Sequence, residues 1–206
     1  MYNTNNKDLF FEIKEASQAE LKVKGSRFIA TVRKVSDIGE TQQILDEIAK
    51  TYHDATHNCY AWIVDSGRKR RFRYSDAGEP SHTAGLPIFK AIESHNLSNV
   101  IVIVTRYFGG VKLGTGGLIK AYSKTASDAL KKSGIVKKYH TETVMFTTSF
   151  EFVSLVHNII SSFKAVLKDT SYDKEVTFTV EVRTSKNKEF IRKLKDGTNG
   201  QVAFIK

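Results

Sequence analysis

Little in this chain can be cross-linked, and nothing in it is long and greasy enough for lipid. Cys59 is the only cysteine in 206 residues, so no internal disulfide and no cysteine-based zinc cluster can form. No run of about 18 apolar residues offers a membrane span. The chain does not open with an apolar stretch behind a basic start, as a secretory signal would, and no low-complexity segment or internal repeat is present. Acidic side chains are in deficit, 22 against 32 Lys and Arg, for a formal charge of +10. What is there is a globular composition, 40% hydrophobic and 11% aromatic, long enough for one large domain or two small ones without help from metal. The sum of these features is expected of a soluble cytoplasmic protein without a cofactor.

The charge is uneven. Residues 1–138 hold 22 basic and 14 acidic side chains, +8, whereas residues 139–206 hold 10 and 8, +2. Clustered cations gain free energy by releasing the counterions condensed on nucleic acid, so the first two thirds favour a polyanionic partner.

Hydrophobic periodicity orders the chain. Residues 9–16 and 27–35 read as strands, the second alternating Phe28, Ala30 and Val32 against Ile29, Thr31 and Arg33. Ser36 is placed to cap a helix carrying Ile38, Leu45, Ile48 and Tyr52, and residues 57–64 return to a strand that ends at the turn Asp65, Ser66, Gly67. A basic strand or loop, 68–75, follows. Thr83 can cap a helix with Pro87 in its first turn and its end near Asn96. Val100 to Val104 are five consecutive β-branched apolar residues, expected of a central strand buried on both faces. Between 105 and 118 five of fourteen residues are glycine, and then Leu118, Tyr122, Ala126, Ala129 and Ser133 mark one face of a helix ended by Gly134.

The patterns restart after residue 137. Val144, Phe146 and Thr148 alternate as a strand; Phe152, Val156, Ile159, Ile160 and Phe163 form a helical stripe; 166–171 and 176–183 make a hairpin. Ser185 is placed to cap a helix with Phe190, Ile191 and Leu194 that Gly197 ends, and 201–205 supplies a last strand. The order βαββαβ is ferredoxin-like. The expectation is an α+β protein with domains at 1–137 and 138–206.

Chemistry concentrates around the glycines. Gly109, Gly110, Gly114, Gly116 and Gly117 stand ahead of a helix whose free N–H groups attract anions, flanked by Lys112 and Lys120, with Lys124 one turn on. The spacing is neither a Walker A loop nor the Rossmann glycine pattern. The glycines therefore serve phosphate contact or only tight turning. Arg106, Tyr107 and Phe108 lie where the buried strand empties into this turn and are material for gripping phosphate or stacking on bases, or for plain packing. Arg68, Lys69, Arg70, Arg71 and Arg73 surround Phe72, a density that must be solvated and suits RNA or simply a wet face. Asp76, Glu79 and His82 could pair for acid–base work, yet Asp-Ala-Gly-Glu-Pro is also a turn sequence. His53, His57 and Cys59 invite a metal reading, but a fourth ligand is not evident, and a lone cysteine is usually a small buried hydrophobe. No nucleophile elbow or His-Glu-x-x-His occurs, so no catalytic residue and no metal ligand is assigned.

Two segments resemble the signatures of the IMPACT family in its bacterial form: SDAGEPSHTAGLP at 75–87 and VTRYFGGVKLGTGGLIKAY at 104–122. Gly25, Ser26, Arg27 and Phe28, the His57, Asn58, Cys59 stretch and the βαββαβ tail extend the resemblance. Ser75, Asp76, Gly78, Glu79, Pro80, Ser81, Thr83, Ala84, Gly85 and Pro87 follow the family loop; Ala77 stands where the pattern usually has Asp, and His82 where it has Gly. The resemblance implies a first domain with the fold shared by a ribosomal small-subunit protein domain and domain IV of elongation factor G. It implies a second domain similar to that factor's domain V. Eukaryotic members regulate translation by restraining a stress kinase, with an extra amino-terminal domain absent from these residues, so that specific role is not expected here.

The expected function is translation-associated binding of RNA or the ribosome. A rival is an enzyme acting on a phosphorylated small molecule or phosphodiester at the glycine turn, with Thr115 and Glu79 its only candidates for holding Mg²⁺. A third is an adaptor whose protein partner docks on the C-terminal domain.

Overall fold

The structure, a computed structural model, describes residues 8–65 and 69–205; Ser66, Gly67 and Arg68 of the expected turn and basic run lie outside the described residues. It is α+β with antiparallel sheets and divides into two compact units, residues 10–138 and residues 139–205 together with Asp8 and Leu9.

In the first unit the chain runs β1 (Leu9–Ile13), β2 (Ser17–Val23), β3 (Ser26–Lys34), α1 (Ile38–Thr51), β4 (His57–Asp65), β5 (Arg70–Ser75), α2 (Gly85–Ser94), β6 (Val100–Tyr107), α3 (Gly114–Lys132) and β7 (Ile135–Tyr139). Five strands form a sheet in the order β2-β3-β6-β4-β5 with every neighbour antiparallel; β1 and β7 pair separately. The β-branched run is β6, at the centre. Its Ile101 and Ile103 join Val35, Ile44, Ile48, Trp62 and Val64 in a core under α1. Val100, Val102 and Val104 point the other way, where α2 and α3 pack, and all five side chains are fully buried. Many antiparallel sheets leave one face wet and so alternate polar with apolar residues; helices on both faces remove that need. At about 1.5–3 kcal/mol per buried Val or Ile, this strand anchors the unit.

The caps differ from the expected ones. Asp37, one residue beyond Ser36, accepts the Glu40 N–H at 2.9 Å, and the Glu40 carboxylate reaches back to the Ser36 N–H at 2.7 Å, a capping box shifted by one position. Thr83 does not cap α2. Its hydroxyl donates to the Pro80 carbonyl at 2.6 Å, while Asp76 caps the helix from outside, Oδ1 accepting the N–H of Ala84 at 2.9 Å and of Gly85 at 2.8 Å. α3 starts at Gly114, four residues before the apolar stripe, so three of the five glycines belong to its first turn.

The second unit comprises β8 (Thr141–Thr148), α4 (Val153–Ser162), β9 (Val166–Tyr172), β10 (Val176–Arg183), α5 (Asn187–Gly197) and β11 (Ala203–Ile205). The element order is βαββαβ and the sheet runs β11-β8-β10-β9, antiparallel throughout. Alternate β10 residues, Val176, Phe178, Val180 and Val182, are fully buried with Phe146, Val156, Phe190 and Leu194. Ser185 sits in a short 3-10 turn ahead of α5 rather than capping it; its N–H and hydroxyl both donate to the Asp8 carboxylate. The Asp8 carbonyl also accepts the His140 N–H at 2.9 Å, which ties Asp8 to this unit. Among the described residues, no helix is long and apolar enough to cross a membrane.

Candidate functional site

The antiparallel register of β4 and β6 sets His57 beside Arg106 and Cys59 beside Val104 at the end of the sheet where β6 empties into the glycines. The 76–83 loop folds over this end. It is held by the Asp76 carboxylate, which burial pulls upward but which the N–H groups of His82, Ala84 and Gly85 together hold below the usual carboxylate range. At Gly85 the loop passes so close to Ser75 that a Cβ would meet its backbone at 2.7 Å.

Beneath the loop lies a buried polar cluster. Glu79 is 8% exposed and its Oε1 accepts from Arg106 Nη1 at 2.5 Å and from the Tyr122 hydroxyl at 2.8 Å. The Cys59 thiol donates to the Asp76 carbonyl at 2.9 Å and lies 3.4 Å from the Tyr122 hydroxyl. Burial pushes the thiol up to about 12 and raises the Tyr122 phenol well above its ordinary value, so both stay protonated at neutral pH. Cys59 is therefore no thiolate, and among the described residues no group of three or more His, Cys, Asp or Glu is arranged to hold a metal ion. His57 Nδ1 lies 2.9 Å from the Ala77 carbonyl, which can only accept, so Nδ1 carries a hydrogen; Nε2 lies 3.9 Å from Glu79.

Arg106 is thus not a surface cation. It is 5% exposed, its guanidinium 5.4 Å from the Phe28 ring and 5.5 Å from that of Phe108. A cation closing a fully buried strand has to find a carboxylate, and Glu79, 27 residues back, supplies it. Tyr107 is drawn aside as well, its hydroxyl donating to Asp54 at 2.8 Å, a bond that raises the phenol. Phe108 remains 47% exposed.

The turn is pinned at its start. The Phe108 N–H donates to Thr56 Oγ1 at 3.0 Å and the Gly109 N–H to Ser26 Oγ at 3.2 Å. Gly109 crosses Gly25 so closely that a Cβ would stand 1.9 Å from the Gly25 carbonyl carbon. Beyond it Gly110, Lys112, Gly114 and Gly116 are exposed, and no side chain caps α3. Among the described residues Lys112 has no ion-pair partner; Lys120 is exposed, and Lys124 pairs with Asp128 at 2.9 Å. A cavity of about 400 Å³ opens here, walled by Phe108, Leu113 and Leu118 and edged by Thr56, Lys112 and Thr115.

The basic run is elsewhere. Arg70 lies opposite Asp65 and Arg106 opposite His57, eight residues apart along β4, or about 26 Å at ~3.3 Å per residue. Arg70, Arg71 and Arg73 are exposed on the edge strand β5, with Arg71 and Arg73 on the α1 face and Phe72 stacked on Phe89 of α2 at 4.8 Å. The two basic features of the sequence occupy opposite ends of one sheet. Glu79, Tyr122 and Thr56 were not singled out as partners of Arg106 or the turn; the readable signal was the arginine itself, placed where an apolar strand ends.

Residues 24–130 match the family model described as the Impact N-terminal domain, and residues 153–201 match a domain of unknown function, DUF1949. The IMPACT family member YvyE of Bacillus subtilis is 33% identical over 192 residues, 93% of this chain and 88% of the relative. The IMPACT family member YigZ of Escherichia coli is 27% identical over 186 residues, 89% and 90% of the two chains. A solved structure described as that of a hypothetical protein superposes with a TM-score of 0.67 at 24% identity, over 96% of this chain and 97% of that one, a likeness of fold.

Proposed function

Because the chain belongs to the IMPACT family, we propose that it serves translation in the cytoplasm as an RNA- or ribosome-binding protein, with its contact surface at the glycine-rich end of the first unit. One observation carries the reading: the start of α3, without a capping side chain among the described residues, Lys112, without an ion-pair partner among them, and the half-exposed Phe108 ring lie on a turn whose start is held by hydrogen bonds to Thr56 and Ser26. A free cation and backbone N–H groups suit phosphate, and an exposed ring beside them suits a base. Lys120 and Lys124 extend this surface along α3, and Arg70, Arg71 and Arg73 form a second, separate patch that steers a polyanion without touching the first. The first unit is read as the fold shared with a ribosomal small-subunit protein domain and domain IV of elongation factor G. The second is read as ferredoxin-like from its βαββαβ order and sheet order.

Sedimentation with ribosomes and with structured RNA across a salt series tests this. Binding should weaken steeply with salt, and Lys112→Glu or Lys120→Glu should make the log–log slope shallower by about 0.7 for each phosphate no longer neutralised on single strands. Binding that ignores salt, or no association at low salt, overturns the reading.

A further inference from the structure

We propose that the cavity at the end of β6 is a site for one nucleoside 5′-phosphate, supplied either by a free mononucleotide or by the phosphorylated end of an RNA strand. The inference deepens the RNA-binding reading and rests on it for the second source only.

Size and wall chemistry come first. About 400 Å³ lies in the range of small-ligand pockets and is far too little for a folded partner. Phe108, Leu113 and Leu118 give one side an apolar wall against which a base can lie, with the Phe108 ring backed by the Arg106 guanidinium at 5.5 Å.

The polar edge is cationic. Glu79 is neutralised by Arg106, so Lys112, without an ion-pair partner among the described residues, is the uncompensated charge of the lining. Thr115 adds a hydroxyl to the lining, and among the described residues no side chain caps the first-turn N–H groups of α3. A cation, a hydroxyl and free N–H groups at one cavity suit a small anion rather than a neutral ligand.

A second observation is independent of the helix end. Arg106 belongs to the cavity lining, is 5% exposed, and its Nε is buried without a hydrogen-bond partner among the described residues. Buried donors are nearly always satisfied, and this Nε, sealed behind the cavity wall, leaves the guanidinium with donor capacity beyond its bonds to Glu79 and Ser26. His57 also lines the cavity, and with Nδ1 committed to Ala77 its Nε2 is the ring nitrogen left for a ribose hydroxyl.

The test uses the full chain and probes of known chemistry. Calorimetric titration with AMP, adenosine and inorganic phosphate is paired with fluorescence polarisation of one short RNA carrying either a 5′-phosphate or a 5′-hydroxyl. AMP should bind and adenosine should bind at least about tenfold more weakly. Lys112→Ala and Thr115→Val, both at exposed positions, should each weaken AMP by about tenfold with the melting temperature unchanged. Preference for the phosphorylated RNA identifies the strand end as the source; AMP binding with equal affinity for both RNAs identifies the free nucleotide. If AMP does not bind at millimolar concentration and both RNAs bind alike, the proposal is overturned. Ribosome sedimentation then shows whether the broader reading falls with it, since that assay does not depend on a terminal phosphate.

Discussion

Arg106 and Arg71 sit in the same five-stranded sheet and have opposite fates. Arg106 closes the central strand and is sealed between Phe28, Phe108 and Glu79. Arg71 lies on an edge strand with its side chain in water. The difference is one of position: a strand with neighbours on both sides and helices on both faces forces its cation to find a carboxylate, whereas an edge strand leaves it solvated, where it also discourages pairing with another chain. Net charge counts the two equally, and only the solvated one is available to a polyanion.

The comparison can be broken most forcefully at the buried pair. Glu79→Gln strands the Arg106 charge and should cost about 3–5 kcal/mol in denaturant-induced unfolding. Glu79→Leu combined with Arg106→Met should recover part of that deficit, and a single Glu79→Gln variant as stable as the parent would show that the pair does not hold this end of the sheet together. Next is Asp76, whose removal as Asp76→Ala leaves the start of α2 uncapped and should cost about 1–2 kcal/mol. Its carboxyl is held below the ordinary value when folded, so its contribution is complete above the unfolded value of about 4 and is lost as pH falls through the lower folded one. Unfolding midpoints should therefore drop in acid more steeply for the parent than for Asp76→Ala. His82 has φ +63, in the left-handed region that costs a side chain about 1–2 kcal/mol; His82→Gly should be neutral or stabilising by up to about 1 kcal/mol, seen as a raised melting temperature. The smallest stability effect belongs to the edge: Arg71→Glu with Arg73→Glu should stay within about 0.5 kcal/mol while flattening the salt dependence of ribosome binding.

Elements with a local cause were legible in the sequence. Five β-branched residues announced β6, and the alternation at Phe28, Ala30 and Val32 announced β3. Strand β2 was not read, although Ala19, Leu21 and Val23 alternate with Gln18, Glu20 and Lys22, because short polar strands at a sheet edge carry a weak signal. The glycines concealed the first turn of α3, since propensity argues against a helix there. Caps failed for a different reason: Asp76 lies nine residues from Gly85 and Asp8 lies 177 from Ser185, separations that no local rule spans. At the site, the glycine turn and Lys112 were evident in the chain, whereas the burial of Arg106 required knowing which carboxylate the fold would bring to it.

The crossing of Gly25 and Gly109 has a thermodynamic meaning for recognition. Two turns distant in sequence share a space that admits no β-carbon on Gly109, so the crossing leaves the start of the glycine loop little room to rearrange when a ligand arrives. Its ordering entropy is settled during folding, not during association, and a ligand that meets this rim keeps the corresponding share of its interaction free energy as affinity.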